Sequence, residues 1–291
     1  MSKLATPSKD IDWWFGLGLS WLMGVAALLL ILIIVFLTYE AWPVIQGGLW
    51  TQFLNSDGWY PLEKKLGLLP MLWATLAVSI GALILAFPFG LGSAIFIEYY
   101  APRFIGKPFS SVVTLLAGIP SVVFGLWGLT ELVPLINNVH PPGASLLTAI
   151  LVLTLMILPT ITLTSRSALS SLPTHLLQNS AALALSKKSM IIGVLVPAAL
   201  RGIAGGVLLA LVRALGETMA VLMVAGNVVQ TPSSLFDPVR VLTANIALEM
   251  AYATDNHRAA LFASGLLLMI LVFCIAWVAS RLSRGEVNGY D

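Results

Sequence analysis

The chain has 291 residues, of which 58% are hydrophobic and only 10% charged, with a mean hydropathy of +0.95 and a formal net charge of +2. That composition excludes an ordinary soluble domain and points to a membrane protein, while the scattered positive charge forms no tract suited to nucleic acid. A single cysteine, Cys274, excludes an internal disulfide or a cysteine metal site, and His140, His175 and His257 lack metal-ligand spacing, so no metal site is expected.

In chain order, a polar N-terminal segment (1–16) precedes a first apolar run over 17–38. This run is too long for the apolar core of a cleavable signal. Trp13, Trp14, Tyr39 and Trp42 flank it as interface anchors. A polar loop over 40–68 leads to a second run, 69–99, interrupted at Pro88. The third run, 109–134, carries AGIPSVVFGLWGL (117–129). Pro120 breaks the helical ladder there, and Gly118, Ser121, Gly125 and Gly128 share one face. Two readings stay open for that face: a tight kinked helix contact, or a lining for a substrate. The fourth run is 146–164. Residues 167–192 follow as short amphipathic helices outside the membrane, then a fifth run at 203–229. A loop over 230–258 with a surface helix at 239–253, a sixth run at 259–279 and a tail over 283–291 complete the chain.

Six spans make an all-α membrane domain over 17–282 with both termini on one side. Ten Lys and Arg residues (Lys3, Lys9, Arg103, Lys107, Arg166, Lys187, Lys188, Arg201, Arg281 and Arg284) fall on that side, against Lys64, Lys65, Arg240 and Arg258 on the other. The positive-inside rule therefore predicts cytoplasmic termini, a cytoplasmic 167–192 and an external 230–258.

The fifth run, IAGGVLLALVRALGETMAVLMVAGNVV, holds two ionisable residues near its middle, Arg213 and Glu217. On one continuous helix, residues four apart share a face and touch. Gly202, Gly206, Ala210 and Ala220 extend that face as a small-residue stripe, which must meet protein or water. A charge at mid-bilayer costs roughly 2.5–3.5 kcal/mol on insertion scales, so such residues mark a pathway or a bundle interior. The two are either a structural ion pair or a device for a charged substrate. Arg213 offers a planar, permanently charged fork suited to a tetrahedral oxyanion. No Walker-type GxxxxGK[ST] loop occurs, so any ATP would be bound by another chain.

At RALGETMAVLMVAGN (213–227), GIPSVVFGLWG (118–128) and LFDPVRVLTANIALEMAYA (235–253), the chain resembles the PstC-type permease of bacterial phosphate ABC importers, over about residues 70–282. The resemblance implies the type I importer fold, with six helices in this half. It implies a heterodimer with a PstA-like permease, two copies of a PstB-like cytoplasmic ATPase holding ATP and Mg, a PstS-like phosphate-binding protein, and residence in the bacterial plasma membrane. The chain itself would carry no cofactor and catalyse no reaction. In the family the matching Arg and Glu are thought to serve phosphate passage, which marks Arg213 and Glu217 here, with Ser121 and Thr218 as secondary lining hydroxyls. Permeases of this superfamily carry an EAA signature on a coupling helix that enters the ATPase. Here that stretch reads Ser180, Ala181, Ala182, with Ser186 at the Gly position and Val196-Pro197 closing it, and it lacks the Glu and the Gly.

As a carboxylate beside an anion path, Glu217 suits two roles. It neutralises Arg213 between cycles, or it accepts a hydrogen bond from a phosphate P–OH. Two other functions are weighed against the importer reading. A secondary anion transporter is commonly built from two related halves in one chain, and no repeat is visible here. A non-transporting scaffold or sensor subunit is kept in view by the altered EAA stretch. An intramembrane enzyme finds no nucleophile–base or metal constellation at membrane depth.

Overall fold

The computed structural model describes residues 9–46, 53, 58–63 and 65–284. Lys3, Lys64, the middle of the 40–68 loop and most of the expected tail lie outside the described residues. The elements in order are α1 (Lys9–Gln46), a two-residue hairpin of β1 (Trp59–Tyr60) and β2 (Lys65–Leu66), α2 (Leu69–Ile95), α3 (Arg103–Ala117), α4 (Ser121–Trp127), α5 (Val133–Asn137) and α6 (Leu146–Ser170). They continue with α7 (Thr174–Ala182), α8 (Lys187–Met190), α9 (Val196–Leu215), α10 (Met219–Val224), α11 (Leu242–Glu249) and α12 (Asp255–Arg284). Wider π turns at Phe96–Tyr100, Gly128–Leu132 and Ile191–Leu195 prolong α2, join α4 to α5 and join α8 to α9. Among the described residues five helices are long and apolar enough to cross a membrane. A sixth span results if α3 and the α4–α5 segment, bent by 93° against each other, count as one.

The centre is α2 against α6. Ala74, Val78, Ala82 and Ala86, at four-residue steps, line the buried face of α2 and pack with Ile150, Leu153, Ile157 and Ile161 of α6. A Cβ on Gly81 would lie 2.7 Å from Ile150, and one on Gly90 would lie 2.8 Å from Ile161, so the axes approach closely along their length. Lipid is as apolar as these side chains, so close packing rather than removal from water holds such helices together. The first turn of α6 is fully capped. Ser145, Leu146 and Leu147 donate their amides to the carbonyls of Val224, Asp237 and Leu235 at 3.1, 2.9 and 2.7 Å. The Ser145 hydroxyl accepts from the Thr148 amide at 3.4 Å. Four donors that a helix start leaves orphaned are thus satisfied, one by the last residue of α10 and two by the segment that follows it.

Helices α1 and α12 pair antiparallel, with Phe36 edge-on to Phe262 at 5.6 Å and Arg258 3.6 Å from Glu40, so their far ends emerge on one face. The most apolar stretch of α1 buries nothing within this chain. Trp13, Trp14, Tyr39 and Trp42, expected at the two interfaces, are all exposed near its ends.

Three runs depart from expectation. Pro88 does not interrupt α2, and Pro159 likewise lies inside α6; a spanning helix accepts a proline where neighbours or local adjustment re-satisfy the freed carbonyl. The fifth run is not a helix over 203–229: the span runs Lys187–Leu215, breaks at Gly216–Thr218 and resumes as α10. The expected surface helix at 239–253 is the shorter α11, and Leu242, Thr243, Ala244, Asn245 and Glu249 on it are buried.

Candidate functional site

The small-residue stripe of α9 is where α6 docks. A Cβ on Gly202 would meet the Ala168 side chain at 2.6 Å, and one on Gly206 would collide with the Thr164 hydroxyl. Carried one and two turns further, the same antiparallel register brings Arg213 to Thr160, whose Oγ1 accepts from Nη1 at 3.3 Å. Thr160 is about 21 Å by helical rise from the N-terminal end of α6 and about 15 Å from its C-terminal end, so the guanidinium sits near the middle of that span.

Arg213 and Glu217 do not pair. Gly216 ends α9 between them, with its amide on the Val212 carbonyl (3.2 Å), and Glu217 begins a new course. One Glu217 oxygen instead accepts the Ala220 amide at 3.3 Å, capping the first turn of α10. Among the described residues Arg213 has no carboxylate partner, and it is exposed on the surface of this single chain. The shared helix face expected for the pair is lost because the break interrupts the helical period that four-residue spacing relies on.

The break in the third span lies at the same level. Gly118 caps α3, and Pro120 is extended (φ −58, ψ 140), so the chain turns before α4. A Cβ on Gly125 would lie 2.8 Å from the Ala220 Cα, and one on Gly128 would lie 3.0 Å from Val224, so α4 and α10 run side by side in parallel. One turn back in that register, Ser121 stands level with Glu217. The glycine face of the third run is therefore a close helix contact over Gly125 and Gly128, with Ser121 at its inner end. Ser121 is half-buried and makes no hydrogen bond among the described residues. Thr218 is half-buried and its hydroxyl turns to the Gly216 carbonyl at 3.4 Å. Two broken spans, an unpaired arginine and a half-buried carboxylate thus meet at one depth. Breaks of this kind expose polar backbone only where protein or water lies beside them.

Sequence reasoning missed Thr160 and Thr243. The hydroxyls of Thr160 and Thr164, four apart on an apolar run, were a legible stripe. Thr243 Oγ1 donates to the Glu217 carbonyl at 2.8 Å, a contact across 26 residues that no local pattern announces.

The residues expected to couple lie elsewhere, beyond the C-terminal end of α6. Ser180 is buried and bonds the Leu176 carbonyl (2.7 Å), while Ala181 and Ala182 are exposed. Helix α7 closes with the Ala184 amide on the Ala181 carbonyl (2.9 Å) and the Leu185 amide on the Ser180 carbonyl (3.2 Å). The left-handed residue this ending requires is Ala184, at φ 51. Ser186, at the signature's Gly position, is extended and caps α8 by accepting the Ser189 amide at 3.2 Å. The turn is thus made without the missing glycine.

At the N-terminal end of α6, Gly226 (φ 88) reverses the chain after α10 in a conformation open to glycine, and Val239 returns its amide to the Ala225 carbonyl at 2.8 Å. Beyond it lies a buried polar cluster. Glu249 Oε1 accepts from Arg240 Nη1 (2.8 Å), and its Oε2 accepts from Trp59 Nε1 (2.6 Å) and lies 2.8 Å from His257 Nε2. Arg240 also reaches Asn245 Oδ1 (3.1 Å) and the Asn227 carbonyl (2.8 Å).

Broken helices meeting near the middle of the bundle, a docked pair of central spans and a short helical excursion at one end are the build of a transport permease, and the family comparison agrees. The profile of the binding-protein-dependent transport system inner membrane component family matches residues 86–286. The chain belongs to that family and is a multi-pass membrane permease subunit of an ABC importer, seated in the bacterial plasma membrane. The phosphate transport system permease protein PstC of Xylella fastidiosa is 36% identical over 261 residues, 81% of each chain. The probable ABC transporter permease protein YqgH of Bacillus subtilis is 40% identical over 240 residues, covering 80% of this chain and 77% of that one. Among solved structures, an inward-facing MetNI methionine ABC transporter chain superposes with a TM-score of 0.61 at 23% identity, covering 77% of this chain and 97% of that one. A chain of a bacterial alginate ABC transporter complex gives 0.61 at 17% identity, over 93% and 96%. These two likenesses speak for the fold. The scaffold and secondary-transporter readings are not favoured.

Proposed function

We propose that this chain forms half of the membrane pathway of an ATP-driven phosphate importer, with Arg213 on the path of the anion. The observation that carries the reading is an unpaired arginine, exposed at mid-depth where two broken spans meet. A lone guanidinium facing hydrocarbon is costly, so its surface opens onto water, substrate or protein. Its fork can offer paired N–H groups to a tetrahedral oxyanion. Glu217, inside the break, is near enough in sequence and level to bias that arginine without neutralising it, and its carboxylate can accept from a protonated phosphate oxygen. Ser121 and Thr218 stand beside it as lining hydroxyls. The relatives' names supply the substrate, and the fold supplies the class.

The other half is a PstA-like permease, and the termini are cytoplasmic. ATP and Mg are bound by two PstB-like ATPase subunits, and phosphate is delivered by a PstS-like binding protein on the outer face. Inside, the exposed tip of α7 and α8, with Ala181, Ala182, Leu183 and Ser186, meets the ATPase. Rigid-body motion of the spans then alternates access to the breaks. The test is phosphate-stimulated ATPase activity and phosphate uptake by the complex reconstituted with its binding protein, native against Arg213→Gln. Stimulation in the native complex with uptake lost in the variant supports the reading. Uptake indifferent to Arg213, or no ATPase partner, sinks it.

A further inference from the structure

Helix α11 lies outside the charged fifth run, yet it touches the break directly. Thr243, second on α11 and 8% exposed, donates its hydroxyl to the backbone carbonyl of Glu217 at 2.8 Å. In an unbroken helix that carbonyl would accept the amide four residues on. Here the helix restarts only at Met219, its first turn closing with the Leu222 amide on the Thr218 carbonyl, and among the described residues the Val221 amide does not reach the Glu217 carbonyl; the side chain from α11 supplies the bond instead. α11 is itself fixed at both ends. The Leu242 amide donates to the Thr75 hydroxyl of α2 at 3.0 Å. Seven residues on, Glu249 is held by Arg240, Trp59 and His257 at the outer surface.

We propose that Thr243 is a positioning residue of the anion site: its hydroxyl fixes the Glu217 backbone, and through α11 ties the mid-depth break to the outer surface. This rests on the reading of Arg213 and Glu217 as the anion site. Thr243 touches no substrate. Its hydroxyl sets where the Glu217 carboxylate stands relative to Arg213, and a shift of α11 at the outer surface is delivered to that carboxylate through one hydrogen bond. A hydroxyl that merely satisfied an orphan carbonyl would matter for stability alone.

The experiment uses the full reconstituted complex with binding protein, comparing Thr243→Val, Thr243→Ala and Thr243→Ser with the native chain and Arg213→Gln. Removing a buried donor to a carbonyl should lower uptake turnover roughly five- to tenfold in T243V and T243A. The half-saturating concentration of loaded binding protein should stay within about twofold, since its outer docking surface is untouched. T243S should restore turnover, and thermal stability of the assembled complex should not follow the losses. Native-like turnover in T243V, failure of T243S to rescue, or losses that track unfolding or failed assembly in both donor-free variants would each overturn the proposal. Loss in R213Q with native-like T243V overturns it alone. Native-like uptake in R213Q overturns the site reading, and the proposal with it.

Discussion

Two of the chain's arginine–glutamate sets behave oppositely. Arg213 and Glu217 are neighbours in sequence at helical spacing, yet a break separates them and, among the described residues, neither has an ionic partner. Arg240 and Glu249 are nine apart, one just before α11 and one at its end, yet they pair at 2.8 Å with 20% and 10% of their side chains exposed. The outer set is closed: Glu249 is engaged by three side chains, and Arg240 reaches Asn245 and the Asn227 carbonyl as well. The central set is open, its arginine exposed and resting on one long bond to Thr160. A buried charge with every partner in place is a structural fixture. A charge left short of partners at membrane depth is available to a substrate.

That contrast can be broken most forcefully at Glu249. Glu249→Ala leaves the Arg240 guanidinium half-buried and the Trp59 indole without its acceptor, so stability of the purified complex should fall by about 3–5 kcal/mol, the cost of removing one partner of a buried pair. Thermal unfolding in detergent measures it, and a loss below about 1 kcal/mol would mean the outer cluster is not closed in solution. Next comes the converse at the centre. Arg213→Gln should depress phosphate uptake roughly 10- to 100-fold, the worth of a hydrogen bond to a charged group. Its unfolding temperature should barely move, since no buried partner is abandoned. Equal damage to stability and uptake would turn Arg213 into a structural residue like Arg240.

A smaller effect sharpens the reason the central set stays apart. Gly216 lies at φ −86, ψ −3, and a Cβ there would meet nothing closer than 3.7 Å. Gly216→Ala should therefore stabilise by about 0.4–1 kcal/mol through the unfolded state and keep the break. Uptake and thermal scans on one preparation check both. A destabilised variant would show that the break itself needs glycine. The smallest effect concerns the outer turn that caps α6. Asp237 accepts the Ser233 hydroxyl (2.8 Å) and the amides of Ser233 (2.7 Å) and Ser234 (2.8 Å). The Ser233 hydroxyl first, then the two amides, hold its carboxyl below the ordinary carboxylate range. A depressed folded value means the contribution is present above the unfolded value, about 3.9, and is lost as pH falls through the folded one. Hydrogen exchange at the Ser233 and Ser234 amides should stay flat from pH 7 to about 5, after correction for intrinsic rates, and show lost protection only below about 4.

Local pattern announced most of the site without its geometry. Arg213 and Glu217 stood out because charge in an apolar run is expensive wherever it occurs. The stripe of Gly202, Gly206 and Ala210 marked a close helix approach because small side chains at four-residue steps have no other use in lipid. What no pattern could convey was the state of the 203–229 run, which reads as one helix by composition. Both its backbone breaks and its partners depend on groups distant in sequence: Thr243 on the Glu217 carbonyl, Ala220 packed on Gly125, and the return of Val239 to Ala225. The buried outer cluster was likewise invisible, since Trp59, Arg240, Glu249 and His257 come from three separate segments with no shared period.

By itself, then, the amino-acid sequence determined the membrane class, the apolar spans near 17–38, 69–99, 146–164 and 259–279, and the two central charges, because hydropathy and helical period are local properties. Only the tertiary structure decided that the third and fifth runs are broken at one level, that Arg213 is unpaired, and that α11 is a buried strut rather than a surface helix. Those outcomes hang on which distant hydrogen-bond partners reach a freed carbonyl or carboxylate, and that is settled by packing.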